Sequence, residues 1–463
     1  MPWLVAAVAV CLAVTAPATA APRKGSHGKP PAPTIAPATS NFSFGQLDAG
    51  TLGGTGCGTN DDGEPAVHLS RSDNVFISSE RGLGGGSDAW RGLGSLGGAG
   101  ASACGLEYRG QPNAVSGLGA SGGDTDLAIA SAPNAQGNYN LYVASLNLAS
   151  VNVATSTDNG ATFSQVPVVE GLPLDDREWI AAYGANTALL SYHDITTNNI
   201  DVLRSDDGGS SFVQTARVIP DGDYKAQNNE LGNLVIDRHN PTPDGFWAYQ
   251  SFVAPSSADG SDYNEAFLGV SSDGGHSWDV RPIPCSTSSK GLDHIFPNVS
   301  VAPDGTLWYA WSDDSNVYTA TSSDHGQSWS CSNAVSTTTA QAVMPWLVAT
   351  SAGVDLVYYG SPTAPGPRSN QVFYVYFAQN AGGAPTGWGG PEQLFAVHQG
   401  EVCEGGISCS GGRQLLDDFG VDTDSQGWAH IAYSHDSPDL GGDATWTGYA
   451  VQTGGTPVGS PNN

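Results

Sequence analysis

An eight-residue phrase recurs four times in this 463-residue chain: Ser, any residue, Asp, any, Gly, any, Ser or Thr, then Phe or Trp. The copies start at Ser156, Ser205, Ser271 and Ser322, so the starts lie 49, 66 and 51 residues apart. Self-similarity at such a period marks an array of like structural units, none of which can bury its apolar face alone. Within each copy the Asp and Ser side chains can bond nearby backbone groups of a tight turn, and the Gly permits a positive φ. The aromatic can bury between neighbouring units. Asp158, Asp207, Asp273 and Asp324 therefore read as turn braces and not as catalysts.

The segments around the phrase are short, alternating and β-branched, and long 3.6-period stripes are absent. A strand pair of consistent style precedes most copies, as in Glu178 to Ala182 with Ala188 to Tyr192, or Pro297 to Val301 with Leu307 to Trp311. The same pairing occurs where the phrase is worn or missing: at Trp346, at Phe419, and twice before the series, at Pro65 and Asp126. Seven units of four strands each follow, with six the alternative, and four-stranded sheets repeated radially make an all-β propeller. The last unit ends at Thr445 to Val451 with three strands. A strand near Phe42 to Leu47 is expected to complete it and close the ring. The propeller is expected over 42–453, with a flexible tail at 454–463.

Residues 1–20 carry an apolar run from Leu4 to Val14 and end in Ala18-Thr-Ala20, the pattern of a secretory signal. A Pro- and Ala-rich linker is expected over 21–41. Beyond the leader six cysteines remain, Cys57, Cys104, Cys285, Cys331, Cys403 and Cys409. An even number in an exported chain points to disulfides, and pairing in sequence order joins residues within one unit or two adjacent units. The 45 acidic and 16 basic residues leave a net charge of −29, which argues against nucleic acid and anionic membranes as partners. No membrane insertion is expected. The reading is of a secreted, extracellular monomer whose partner is a glycan or polysaccharide.

The repeated phrase resembles the Asp box, or bacterial neuraminidase repeat, found in sialidases and many other propellers. Gly122-Gly-Asp-Thr-Asp126, Asp176-Arg-Glu-Trp-Ile180 and Ser191-Tyr-His-Asp194 also resemble stretches of actinobacterial secreted proteins labelled sialidase-like. The resemblance implies a tyrosine nucleophile, an acid/base carboxylate and an arginine cluster for the substrate carboxylate. The Phe/Tyr-Arg-Ile-Pro motif usual near the start of that family is absent from this chain.

In a propeller the loops entering inner strands and those leaving second strands open on one face, opposite the repeated turns. Asp176, Arg177, Glu230, Asp293 and Asp417 enter inner strands and are the catalytic candidates, with Tyr192 the candidate tyrosine. Arg368, Arg413, Trp311, Tyr359, Tyr433, His193 and His435 are the candidate substrate contacts, on an aromatic and carboxylate-lined mouth suited to a sugar. Two carboxylates of different protonation are enough for glycoside hydrolysis. The expectation is thus a sialidase-like glycoside hydrolase using carboxylate acid/base chemistry. A non-catalytic binding propeller and a polysaccharide lyase are the alternatives. No cofactor is required, with calcium the one alternative. Neither a phosphate loop nor a Gly-x-Ser-x-Gly elbow is present.

Overall fold

Strands this short, apolar on both faces, can be covered only by other sheets. The computed structural model describes residues 41–462 except 82–85, 115–122, 147–149, 169–174, 293–295, 367–369, 407–408, 437–439 and 443. Contacts divide the chain into 1–34 and 35–463, and the described residues all belong to the second unit. They form seven antiparallel four-stranded sheets, a seven-bladed β-propeller. In blades 1 to 6 the strands pair in chain order from the channel outward. The inner strands are Gly63–Leu69, Thr125–Ile129, Asp175–Tyr183, Glu230–Thr242, Asn298–Val301, Gln341–Ala349 and Gly420–Thr423. Each touches the next, and the last touches the first. Blade 7 is completed by the N-terminal strand Phe42–Gln46, antiparallel to Thr445–Gln452 in the register Phe42↔Gln452. The leader expected at 1–20 and most of the linker lie outside the described residues.

The core sits between blades. One apolar cluster joins Tyr249, Leu268 and Val270 of blade 4 to Val299, Tyr309 and Trp311 of blade 5, and another joins Tyr142 and Val153 of blade 2 to Ile180 and Leu190 of blade 3. Inner strands do not pair with one another, so their edge N–H groups need other acceptors. A polar side chain on the preceding blade supplies them. Asp126 accepts from Ile180 N at 2.8 Å, Asn233 from Val299 N at 2.8 Å, Asn298 from Leu347 N at 2.8 Å and Asp422 from Leu69 N at 2.8 Å. These bonds stitch neighbouring blades along the channel.

The four repeated phrases adopt one geometry in the turn between third and fourth strands. In each, the first Ser hydroxyl donates to the Asp and accepts from the Gly N–H, as Ser322 does at 2.7 and 2.8 Å. The Asp then accepts from the N–H and hydroxyl of the closing Ser or Thr, at 2.9 and 2.6 Å for Asp324 and Ser328. These bonds, the Ser328 hydroxyl first, hold Asp324 down to about 2. The aspartate is consumed by its own turn. Asp324→Ala is expected to lower stability by about 1 kcal/mol, measured by urea unfolding, because the bonds it loses are exposed. Any activity should be unchanged.

Disulfides join Cys57 to Cys104, Cys285 to Cys331 and Cys403 to Cys409, the sequence-order pairing. No helix among the described residues is long and apolar enough to cross a membrane. Residues 454–462, read from composition as a flexible tail, instead lie against the ring. Val458 N donates to Gly427 O, Pro461 O meets His239, and Asn462 bonds Arg238 and Leu69 O, so Val458, Ser460 and Asn462 are buried. Pro461 lines one side of a channel cavity of about 110 Å³ whose other walls include Trp179 and Trp346.

Candidate active site at one mouth of the channel

Three inner strands enter the channel through a residue that a side chain rarely tolerates. Glu64, Arg177 and Met344 have φ of 47°, 44° and 53°, and each lies at a register shift in the pairing of its strand. A β-bulge of this kind breaks strict alternation and re-aims a side chain, at a cost of about 1–3 kcal/mol for each unusual φ. In blades 1 and 3 the re-aimed side chains are charged, and they meet.

Arg177 is 3% exposed and is surrounded by carboxylates from three other blades. Its guanidinium lies 3.3 Å from Glu64, 3.6 Å from Asp124 and against Asp418. It also stacks on Trp179 at 4.2 Å and Phe296 at 4.7 Å. Trp179 in turn packs on Trp346 at 5.4 Å, giving the mouth an aromatic floor. The second arginine, Arg413, grips Asp417 through both carboxylate oxygens at 2.6 and 2.8 Å. The backbone N–H of Asp417 donates to Glu64 at 2.8 Å, tying blade 7 to blade 1.

Around this pair of arginines stand eight carboxylates: Glu64, Glu80, Asp124, Asp176, Glu178, Glu230, Asp417 and Asp418. Burial is the main force on their acidity, with like charge added. Burial and then Asp176 push Glu230 up to about 8. Burial and then Asp124 push Asp176 up to about 6 and Glu80 to about 8. Asp418 stands at about 7, raised by burial against the pull of Arg177. Asp176 is exposed and Glu230 half-buried, so both residues reach solvent at the mouth. They lie on adjacent blades, Asp176 opposite His193 and Glu230 opposite Val253 in the strand registers.

The structure places Asp176, Arg177, Glu230, Asp417 and Arg413 at the same mouth of the channel. Asp293 and Arg368 lie outside the described residues. The aromatic candidates do not line the mouth. Tyr192 and Trp311 are packed within the clusters between blades 2 and 3 and between blades 4 and 5. Tyr359 is stacked on Phe419 at 3.9 Å with its hydroxyl accepting from Ser434 N at 2.8 Å. Tyr433 packs on Phe395 at 4.5 Å. All four belong to second strands and pack against a neighbouring blade, the preceding one for Tyr192, Trp311 and Tyr433 and the following one for Tyr359, so burial between blades takes them. His193 and His435 are partly exposed, and burial holds His193 below its ordinary value and His435 down to about 4, so both are neutral near pH 7.

Glu64, Glu80 and Glu404 escaped the sequence reading. Glu404 is held up by burial, Asp314 and Asp417. Glu64 stands at the entry bulge of blade 1 as Arg177 does at that of blade 3, and Glu80 ends the second strand Val75–Glu80. Phasing blade 1 like blade 3 would have found both.

No family model and no curated protein matches the chain. Among solved structures, an α-L-arabinofuranosidase from Fusarium graminearum is 11% identical, with 89% of this chain and 98% of that one covered at a TM-score of 0.47. An ulvan lyase of polysaccharide lyase family PL25 is 8% identical, covering 92% and 96% at 0.47. A Hadza microbial sialidase is 13% identical, covering 83% and 74% at 0.42. At identities this low the chemistry of the site itself has to carry any functional conclusion.

Proposed function

We propose that the protein is an exported glycoside hydrolase in which Glu230 is the general acid and Asp176 the carboxylate that activates water or attacks the sugar. The observation that carries this reading is the solvent-open pair itself. Glu230 keeps its proton to about 8, while Asp176, exposed beside it, loses its own at about 6. Near pH 7 this pair offers one acid and one base, the division of labour that glycosidic cleavage requires. Glu230 delivers its proton to the glycosidic oxygen as the bond to the anomeric carbon breaks. Asp176 takes the proton of the incoming water, or bonds first to that carbon.

The same mouth disfavours acidic sugars. Arg177 is shared among three carboxylates and Arg413 is held by Asp417, so neither presents a free fork to a substrate carboxylate. The substrate class that fits is a neutral or amino-sugar glycan. Reducing-sugar release from a panel of neutral, amino, sialylated and uronate-containing polysaccharides tests this, with absorbance of unsaturated products read in parallel. Release from neutral or amino glycans is the expected result. Binding without turnover would instead make the mouth a glycan-binding surface, and a preference for sialosides would overturn the substrate class.

Asp176 must be ionised, so kcat/KM rises as pH passes about 6, and Glu230 must be protonated, so it falls as pH passes about 8. A bell centred near 7 is expected in initial-rate measurements.

A further inference from the structure

We propose that Glu64, Glu80 and Asp124 bind a calcium ion at the channel mouth. One carboxylate oxygen from each lies within 4.8 Å of the other two. A Ca²⁺ ion holding three oxygens at roughly 2.3–2.6 Å needs them within about 4.5 Å of one another, so the trio has to contract by a few tenths of an ångström at most. The residues come from the inner and second strands of blade 1 and the entry to blade 2, and Gly63 pairs with Glu80 in the register that sets two of them side by side.

Charge accounting points to the same ligand. Asp418 is drawn to Arg177 and Asp417 to Arg413. Arg177 reaches Glu64 and Asp124 from one side, but Glu80 is outside its ion pairs. Glu80 is 7% exposed, and its side chain makes no hydrogen bond or ion pair among the described residues. Beside the trio, Glu178 is fully buried with neither carboxylate oxygen hydrogen-bonded to another group, and its strongest charged neighbour is Asp124. Both buried carboxyl groups lack a side-chain hydrogen bond and have Asp124 as their strongest charged neighbour, and Arg177 and Arg413 offset that crowding only in part, which leaves room for a further cation.

The donors are all hard carboxylate oxygens from separate strands, with no thiolate among them. Ca²⁺ accepts six to eight such oxygens in irregular shells, including bidentate carboxylates, whereas Mg²⁺ demands a near-ideal octahedron and keeps its water. The inference stands apart from hydrolysis. Calcium binding with no turnover on any glycan would leave it intact, and turnover with no calcium binding would remove it alone.

The test is calorimetric titration of the EDTA-stripped full chain with CaCl₂ and with MgCl₂, alongside thermal melts. One Ca²⁺ per chain and a melting temperature raised by about 3 °C or more at saturation are expected, since only the folded state holds the site. Glu80→Gln and Asp124→Asn should each weaken Ca²⁺ binding by about tenfold or more, as ligand charge is lost. Glu265→Gln, on blade 4, should bind like wild type. Asp124→Asn decides the matter if Glu80→Gln fails to fold by circular dichroism. Absence of heat and of a thermal shift in wild type would overturn the proposal. So would unchanged affinity in both mouth variants, or tighter binding of Mg²⁺ than of Ca²⁺.

Discussion

Glu230→Gln is expected to lower kcat/KM by about 10²–10⁴-fold, the usual range for loss of a general acid. Glutamine keeps the shape and polarity of the side chain but carries no transferable proton, so the loss should fall on kcat more than on KM. The variant should also show a signature that a merely structural defect would not. An aryl glycoside whose leaving group departs without protonation should retain most of its rate, whereas an alkyl glycoside should not. The descending limb of the pH profile near 8 should disappear, because Glu230 sets it. A variant that loses both substrates equally and keeps that limb would remove Glu230 from the role of acid.

Arg177→Ala is expected to destabilise the protein by about 3–5 kcal/mol, the range for breaking a buried ion pair by removing one partner. That is a large share of the 5–15 kcal/mol that holds a typical domain folded. The physical reason is that Glu64, Asp124 and Asp418 lose their common counter-charge while remaining near one another. The stacking on Trp179 and Phe296 is lost as well. Arg177→Met, which keeps much of the apolar volume, separates the two contributions: a loss similar to that of Arg177→Ala assigns most of the effect to charge. Urea unfolding followed by tryptophan fluorescence reads both. A change under about 1 kcal/mol in Arg177→Ala would show that the carboxylates relax by protonation or by taking up a cation, and that Arg177 does not hold the mouth together.

The fold was legible because its signals are local. The turn of Ser322 to Trp329 is closed by bonds spanning only two to four residues, so the eight letters specify it without reference to the rest of the chain. Strand alternation is equally local, and seven repeats of it leave few ways to cover all the sheet faces. The strand at Phe42 could be placed because blade 7 was one strand short. The site was legible only in part. Asp176, Arg177, Glu230 and Asp417 were found from their position at inner-strand entrances. Tyr192, Trp311, Tyr359 and Tyr433 were misplaced because strand position names the end of a blade but not the face of the strand. An aromatic at such an end gains more from burial against a neighbouring blade than from exposure.

What the sequence determined by itself is the repeating unit, its braced turns, the propeller ring and the end of it where charged loops gather. Which of those charges meet was decided only by closure of the ring. Glu64 and Asp418 are hundreds of residues apart, yet both touch Arg177 across the channel. A bulge at Glu64 and another at Arg177 turn those side chains from their regular directions, and no local pattern announces either bulge. Burial then sets the acidity: a carboxyl group that is ionised at neutral pH in an open chain, as at Glu230, keeps its proton there between blades. That difference comes from the dielectric surroundings and neighbouring charges of the folded ring, which a linear sequence does not contain.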